Sequence, residues 1–207
     1  MLAKPLPRPS GRVEFEQGMS YAPRVTLMLI AMNLIVFGWE ALSGALGSEQ
    51  AIIGAGALWR PGLLNGEIWR LVTPMFLHGS ADHLIGNCVA LYVLGMACEH
   101  AVGGTKMIGV YFLSGITGAL TSVALSPGPS VGASGAIFGL MAAVTAFLHH
   151  NDQLFRIRDK RIFGVLLAWA AYTIVTGFAT PYVDNAAHVG GFIGGWLMGR
   201  GLKPDTH

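Results

Sequence analysis

The sequence predicts an all-α polytopic membrane protein with six transmembrane helices, and three observations support this fold class. Hydrophobic residues make up 53% of the chain and charged residues only 12%, about half the charged fraction of a typical soluble domain. Six apolar stretches approach the roughly 20 residues that a helix needs to cross a bilayer. The 29 glycines suit close packing between helices in lipid, where apolar surfaces gain nothing by leaving the solvent.

The predicted domain organisation follows these six stretches. Residues 1–24 form a polar, proline-rich leader, which we expect to be disordered and cytoplasmic because it has too few apolar residues to bury. A membrane domain over residues 25–202 follows, and residues 203–207 form a cytoplasmic tail. The helices of the membrane domain are expected at about residues 25–42, 81–99, 107–125, 134–148, 162–180 and 186–202.

The basic residues predict the orientation in the membrane. With the N-terminus in the cytoplasm, only Arg60 and Arg70 of the 13 Lys and Arg residues fall on outer segments. Cytoplasmic loops of membrane proteins are enriched in these residues. We therefore expect an integral, multi-pass protein with both termini cytoplasmic. The membrane expected to hold it is the inner membrane of a bacterial cell.

The segment 43–80 is predicted to be an outer loop lying at the membrane interface. Its apolar run, residues 51–55, is too short to span the bilayer. Trp59 and Trp69 are of the residue type that favours the interface. A connection of this length is uncommon unless it has a function, so the loop is expected to be more than a linker.

Polar side chains within the apolar stretches mark the candidate functional site. Such residues are costly to place in lipid and are functional candidates by default. The ionisable and amide residues considered are His83, Asn87, Glu99 and His188. Ser134 joins them, in a glycine-rich turn that follows the helix-breaking run 127–129.

Ser134 and His188 are predicted to meet through two stripes of small residues. Glycines at four-residue spacing lie in the sixth stretch and at the start of the fourth: Gly191, Gly195 and Gly199, and Gly135 and Gly139. Such stripes let two helices approach closely. A serine needs a base to become a good nucleophile, and a neutral imidazole can take its proton at pH 7. His83, Asn87 and the N–H of Ser134 could then donate hydrogen bonds to an oxyanion.

In these residues the chain resembles the rhomboid intramembrane serine proteases. The resemblance rests on five motifs in order: Trp69-Arg70, His83-x-x-x-Asn87, Gly95-x-x-x-Glu99, Gly132-x-Ser134-Gly135 and Ala187-His188-x-Gly190-Gly191. It implies a six-helix rhomboid bundle with an interfacial first outer loop and an active site that opens outward. The implied activity is a serine endopeptidase that cleaves transmembrane segments of membrane-protein substrates in the lipid bilayer.

The resemblance also implies roles for individual residues. Ser134 and His188 match the family's catalytic dyad, and His83 and Asn87 match its oxyanion-stabilising residues. Phe138 matches an aromatic position, often Tyr, that packs on the catalytic imidazole; here the hydroxyl is absent. Gly132, Gly135 and Gly191 are expected to support the site. No metal, cofactor or nucleic-acid partner is implied.

Asp184, four residues before His188, allows two interpretations. It could complete a Ser–His–Asp triad, or it could cap the sixth helix, where Asp is a preferred residue. The resemblance implies a dyad and therefore favours the cap. Glu99, at the inner end of its helix, is interpreted as structural, and whether His78 touches the site stays open.

Two other classes of protein also place polar residues among membrane helices. A transporter could use buried polar residues as an ion path, but we find none of the internal repeats that many transporters carry. A non-catalytic rhomboid-like binding protein would keep the fold without the nucleophile or the base, whereas this sequence retains both.

Overall fold

A computed structural model describes residues 13–157, 161–179 and 182–203, and most of them are helical. The α-helices of this part of the chain are α1 (Arg24–Ser43), α2 (Glu49–Ala55), α3 (Arg60–Leu64), α4 (Ala81–Val102), α5 (Gly104–Leu125), α6 (Ser134–His150), α7 (Arg161–Gly177) and α8 (Asn185–Gly199). Short 3₁₀ turns occupy Ala45–Gly47, Ile68–Leu71 and Thr73–Phe76, and two short strands are β1 (Val13–Glu14) and β2 (Phe155–Arg156).

Among the described residues, three helices, α1, α4 and α5, are long and apolar enough to cross a membrane. They contain 20, 22 and 22 residues, which at 1.5 Å per residue is about the 30 Å thickness of a bilayer core. The chain is therefore an integral membrane protein built as a helical bundle. Every helix expected from the sequence coincides with α1, α4, α5, α6, α7 or α8, with ends that differ by up to three residues.

Helix α6 lies at the centre of the bundle. Of its 17 residues, 14 are buried, as expected of a helix that is apolar on every side. It is packed against α4, α5 and α8. The start of α6, where Ser134 lies, is therefore enclosed by other helices.

Glycines allow α6 and α8 to pack backbone against backbone. A Cβ atom on Gly191 would collide with the backbone of Gly135, and a Cβ on Gly195 would collide with the backbone of Gly139. Removing side chains from such positions lets helices approach more closely than larger residues permit. This contact brings the first turns of α6 and α8 together.

The connection between α1 and α4 is held together by Arg70. Its Nη1 donates to the carbonyl oxygens of Ile53 at 2.7 Å and Ala57 at 2.8 Å, and its Nε donates to the carboxylate of Glu67. Trp69, beside it, is 54% exposed. The two residues of the Trp–Arg motif thus have different roles. Arg70 stabilises the fold of the connection, and Trp69 is exposed on the surface.

Glu99 caps the start of α1 from the neighbouring helix α4. Pro23, at the N-cap of α1, makes no side-chain cap bond, and the first N–H groups of a helix lack intrahelical partners. The Glu99 carboxylate accepts from the N–H groups of Val25 and Thr26 at 3.1 and 2.9 Å. It also accepts from the Thr26 hydroxyl at 2.9 Å. These bonds agree with the structural role expected for Glu99.

The structure corrects the expectation of a disordered leader over residues 13–23. Strand β1 pairs in parallel with β2. Phe15 is buried, and its carbonyl oxygen accepts from Nε2 of His100 at 2.7 Å. Because the partners are far away in the sequence, no local periodicity signals this pairing. The rest of the leader, residues 1–12, lies outside the described residues.

Candidate active site

Ser134 is the first residue of α6 and is only 6% exposed. The turn before it is tied to the connection between α1 and α4. Gly132 has φ +123°, a conformation that glycine adopts without strain, and its N–H donates to the carbonyl of Pro74 at 2.8 Å. Ser130 and Leu58 exchange two backbone hydrogen bonds, of 2.9 and 3.0 Å. The serine is thus presented on a fixed turn inside the bundle.

His188 lies in the first turn of α8, against Ser134. Its Nε2 is 2.8 Å from Oγ of Ser134, and the side chain is fully buried. The ring of Phe138, one turn further along α6, stacks on the imidazole with centroids 4.5 Å apart and planes at 10°. A hydroxyl within hydrogen-bond reach of an imidazole is the geometry of a nucleophile and its general base.

The second ring nitrogen of His188 has a partner that the sequence interpretation missed. Nδ1 lies 3.2 Å from Oδ1 of Asn185, and Nδ2 of Asn185 donates to the carbonyl of Ile174 at 3.0 Å. The available signal was the i,i+3 spacing of an amide and a histidine, which places both on one helix face. The imidazole is therefore held at both nitrogens and on one face.

His83 and Asn87 line the other side of the turn before Ser134. A Cβ atom on Gly132 would lie 2.7 Å from Nε2 of His83 and 3.5 Å from Nδ2 of Asn87. Nδ2 of Asn87 is buried without a hydrogen-bond partner among the described residues. A buried donor left unpaired costs roughly 1–3 kcal/mol, so an acceptor supplied by a ligand would relieve that cost. This is the kind of donor that an oxyanion needs.

A small cavity adjoins Ser134. Its volume is about 30 Å³, which exceeds the roughly 10–15 Å³ that one water molecule needs. Its walls are mostly apolar or backbone groups, including Pro74, Met75 and Ala187, while Ser134 and Asp184 contribute polar atoms. The hydroxyl of Ser134 thus has space beside it for a water-sized group.

Asp184 is the N-cap of α8. Its Oδ1 accepts from the N–H groups of Ala186 and Ala187 at 2.8 and 3.3 Å. The carboxylate also accepts from the hydroxyl groups of Ser122 and, at 2.7 Å, Ser126. The geometry agrees with the cap interpretation. Asp184 is only 9% exposed, so the backbone N–H groups and the two serine hydroxyls take the place of solvent around its carboxylate.

Next to His83 lies a second buried pair, His78 and Glu40, of which the sequence analysis named only His78. The His78 ring meets the His83 ring edge to face, with centroids 5.2 Å apart. Both carboxylate oxygens of Glu40, on α1, lie 3.0 Å from the N–H of His78. Burial, with a smaller contribution from His83, lowers the pKa of His78 to about 3, so this imidazole is neutral at pH 7. Glu40 was overlooked, although an ionisable residue in an apolar stretch is itself a signal.

The fold and the site together define a polytopic helical membrane protein that buries a serine–histidine pair between two glycine-faced helices. The family model of the Rhomboid domain matches residues 65–204, which is more than half of the chain. The chain therefore belongs to the rhomboid family, and the resemblance found in its motifs is confirmed.

Several relatives carry names that bear on activity. Rhomboid protease GluP of Bacillus subtilis (strain 168) is 34% identical over 181 residues, which cover 87% of this chain and 35% of that protein. Rhomboid protease AarA of Providencia stuartii is 34% identical over 201 residues, covering 84% of this chain and 70% of that protein. Inactive RHOMBOID-like protein 8 of Arabidopsis thaliana is 35% identical over 141 residues, covering 67% and 39%. The chain thus spans about a third of the length of GluP.

Proposed function

We propose that the chain is an intramembrane serine endopeptidase that cleaves transmembrane segments of membrane-protein substrates, with Ser134 and His188 as its catalytic dyad. The observation that carries this proposal is the 2.8 Å contact between Nε2 of His188 and Oγ of Ser134 in a buried site. Kinship with two proteins named rhomboid proteases supports it.

In the acylation step, Oγ of Ser134 attacks the scissile carbonyl carbon while Nε2 of His188 takes the hydroxyl proton. The carbonyl oxygen becomes an oxyanion. Nδ2 of Asn87, the imidazole of His83 and the N–H of Ser134 are the donors proposed to hold it. The imidazolium then gives its proton to the leaving amine, and the peptide bond breaks to leave an acyl ester on Ser134.

In the deacylation step, water replaces the departed amine. His188 takes a proton from this water as its oxygen attacks the ester carbon. When the second tetrahedral intermediate collapses, the proton returns to Oγ of Ser134 and the product leaves as a carboxylic acid. The cavity of about 30 Å³ beside Ser134 is large enough to hold one such water.

The membrane arrangement that goes with this proposal has six spans, both termini in the cytoplasm of a bacterial cell, and a site that opens outward. Helix α6 has 17 residues and is therefore about 26 Å long, shorter than a bilayer core of about 30 Å. A helix this short that ends near the inner surface would begin below the outer surface. This depth suits a substrate that arrives as a transmembrane segment.

A non-catalytic binding role is the second candidate, because one relative is named inactive. A protein of that kind could capture the same transmembrane segments without cutting them. The presence of both Ser134 and His188, in contact, favours catalysis.

A serine-directed fluorophosphonate probe on the purified full-length chain in liposomes separates these candidates. Wild type should be labelled, and it should cleave a transmembrane-segment substrate at an internal peptide bond detected by mass spectrometry. Ser134→Ala should do neither. Ser114→Ala is the matched control, because Ser114 is also a fully buried serine but lies outside the site. Substrate capture without labelling or cleavage would establish the binding role.

A further inference from the structure

A chain of hydrogen bonds runs from the end of α7 through Asn185 to the imidazole of His188. The carbonyl oxygen of Ile174 can only accept, so the Asn185 amide atom 3.0 Å away is the nitrogen that donates to it. The amide oxygen of Asn185 then faces Nδ1 of His188 at 3.2 Å. Because that oxygen also only accepts, Nδ1 is the nitrogen that carries the proton.

This assignment determines the state of the nitrogen that faces the serine. A neutral imidazole carries one N–H. With the proton on Nδ1, Nε2 keeps its lone pair and accepts from the hydroxyl of Ser134 at 2.8 Å. A general base needs this tautomer, and the partner of the other ring nitrogen selects it.

The end of α7 supplies the anchor for Asn185. Ile174 lies in the last turn of α7, which ends at Gly177. The carbonyl groups of a last turn have no N–H partner within a regular helix, so the amide of Asn185 satisfies one of them. The bond therefore stabilises the helix end and fixes which way the amide points.

Gly177 leaves the space in which the amide oxygen sits. A Cβ atom on Gly177 would lie 2.7 Å from Oδ1 of Asn185 and 3.0 Å from Cγ1 of Val183. Both distances are too short for a methyl group unless Asn185 or Val183 moves. The end of α7 thus accepts a hydrogen bond from the amide nitrogen of Asn185, and Gly177 leaves room for its amide oxygen.

We propose that Asn185 is a positioning residue that sets the tautomer and orientation of His188, and that the last turn of α7 holds it in place. This inference rests on the proposed function, since it assigns a role in that same reaction. Asp184 does not compete for the role, because its carboxylate is engaged with backbone amides and serine hydroxyls. Among the described residues, the titratable side chains that act electrostatically on the imidazole are Asp184 and His83, and the hydroxyl of Ser134 contacts Nε2.

Two Asn185 variants test the role in full-length protein reconstituted in liposomes. Asn185→Ala removes the acceptor, and kcat should fall about 10- to 100-fold with KM little changed, the magnitude found for partners that orient metal-binding histidines. Asn185→Asp places a carboxylate beside Nδ1 and stabilises the imidazolium. His188 then stays protonated to higher pH, so the acid limb of the pH–rate profile should move to higher pH.

Gly177→Ala provides a variant in which Asn185 itself is retained. The added methyl group should push Oδ1 away from Nδ1, and kcat should fall in the same direction as in Asn185→Ala. Asn33→Ala is the matched control. Asn33 is a buried asparagine on α1 whose Nδ2 donates to the carbonyl of Leu29 at 2.8 Å, away from the site. Its loss should leave kcat per folded molecule and the pH profile unchanged.

The outcomes distinguish this inference from the proposed function. If wild type neither reacts with the fluorophosphonate nor cleaves substrate, both fail. If wild type is active but Asn185→Ala keeps kcat within twofold and Asn185→Asp keeps the wild-type pH profile, only the role of Asn185 is overturned. Should Asn185→Ala not fold, the pH profile of Asn185→Asp and the kcat of Gly177→Ala decide the matter.

Discussion

The carbonyl group of Gly135 occupies the position where a Cβ atom of Gly191 would be. The two residues belong to α6 and α8 and lie within one turn of Ser134 and His188 respectively. Their contact therefore sets the separation between the serine hydroxyl and the imidazole. A side chain on Gly191 has no space unless one helix moves away from the other, whereas a Cβ atom on Gly135 would make a tight contact of 3.2 Å with the carbonyl oxygen of Ala187.

We expect Gly191→Ala to lower both stability and activity. Overpacking a close contact costs about 1–3 kcal/mol, and a displacement of about 1 Å at a reacting pair can cost about 10²-fold in rate. Melting temperature and kcat, measured on the same liposome preparation, check this. Gly109→Ala, on α5, is the control, because nothing lies within 4 Å of its Cβ position. Equal effects of the two substitutions would show that the α6–α8 contact does not set the geometry of the site.

Ser134→Ala and His188→Ala should each abolish cleavage, and the double variant should be no worse than either single one. Residues that act as a unit in catalysis are strongly non-additive, and these two share one hydrogen bond of 2.8 Å. Single-turnover cleavage of a transmembrane substrate measures all three. Substantial turnover by Ser134→Ala would overturn the dyad.

Asn87→Ala should slow catalysis without destabilising the fold. Losing one oxyanion donor costs about 10²–10³-fold in rate. Because Nδ2 of Asn87 is buried without a partner among the described residues, its removal should leave the melting temperature unchanged or raise it. Asn33→Ala, a substitution of another buried asparagine outside the site, should leave the rate unchanged. A large loss of stability with a normal rate in Asn87→Ala would make Asn87 a structural residue.

Asp184→Asn should retain its rate per folded molecule but lose stability. Asn is about as good an N-cap as Asp, and its oxygen can keep the bonds that Oδ1 accepts, but the nitrogen that replaces Oδ2 cannot accept from the hydroxyl of Ser122. Hydrogen bonds to a charged group contribute about 1.5–3 kcal/mol each, so a lower melting temperature is expected. A catalytic triad instead predicts a loss of about 10⁴-fold in rate. The value of kcat per folded molecule separates the cap from the triad. Ser126→Ala weakens the same cap and should likewise lower only the melting temperature.

The proposed orientation predicts opposite accessibility for two surface positions. In a background without the free thiols Cys88 and Cys98, a cysteine replacing exposed Asn65 should react with a membrane-impermeant reagent on intact cells. A cysteine replacing exposed Asp152, after α6, should react only once the membrane is opened. Reaction of both from the same side would contradict the six-span arrangement.

The helical architecture could be predicted because the bilayer imposes it. Apolar runs of near-spanning length have few alternatives to a helix in lipid, and three of them form helices long enough to cross a membrane, α1, α4 and α5. The approach of α6 and α8 was also predictable, since Gly191 and Gly195 are spaced to form a stripe and meet the backbone of α6.

The parts that could not be predicted depend on single long-range contacts. The pairing of β1 with β2 joins residues about 140 positions apart and has no local pattern. Asn185 was missed because its role follows from the position of Ile174 on α7, which the spacing along α8 does not reveal. Glu40 could have been found as an ionisable residue in an apolar helix, but its partner is a backbone N–H that any residue would provide.

Two glutamates connect α1 and α4 by hydrogen bonds at both ends of this helix pair. Glu99, near the end of α4, binds the N–H groups at the start of α1, and Glu40, near the end of α1, binds the N–H of His78 just before α4. Sliding one helix along the other by a single turn, about 5.4 Å, would break both sets of hydrogen bonds at once and leave the fully buried carboxylate of Glu40 without its donor. The two glutamates therefore fix the register of α1 against α4 at opposite ends of the helix pair. A chain cut within the connection at Ala45–Gly47 should still hold α1 and α4 in register, and with them the depth of His83 and Asn87 on α4.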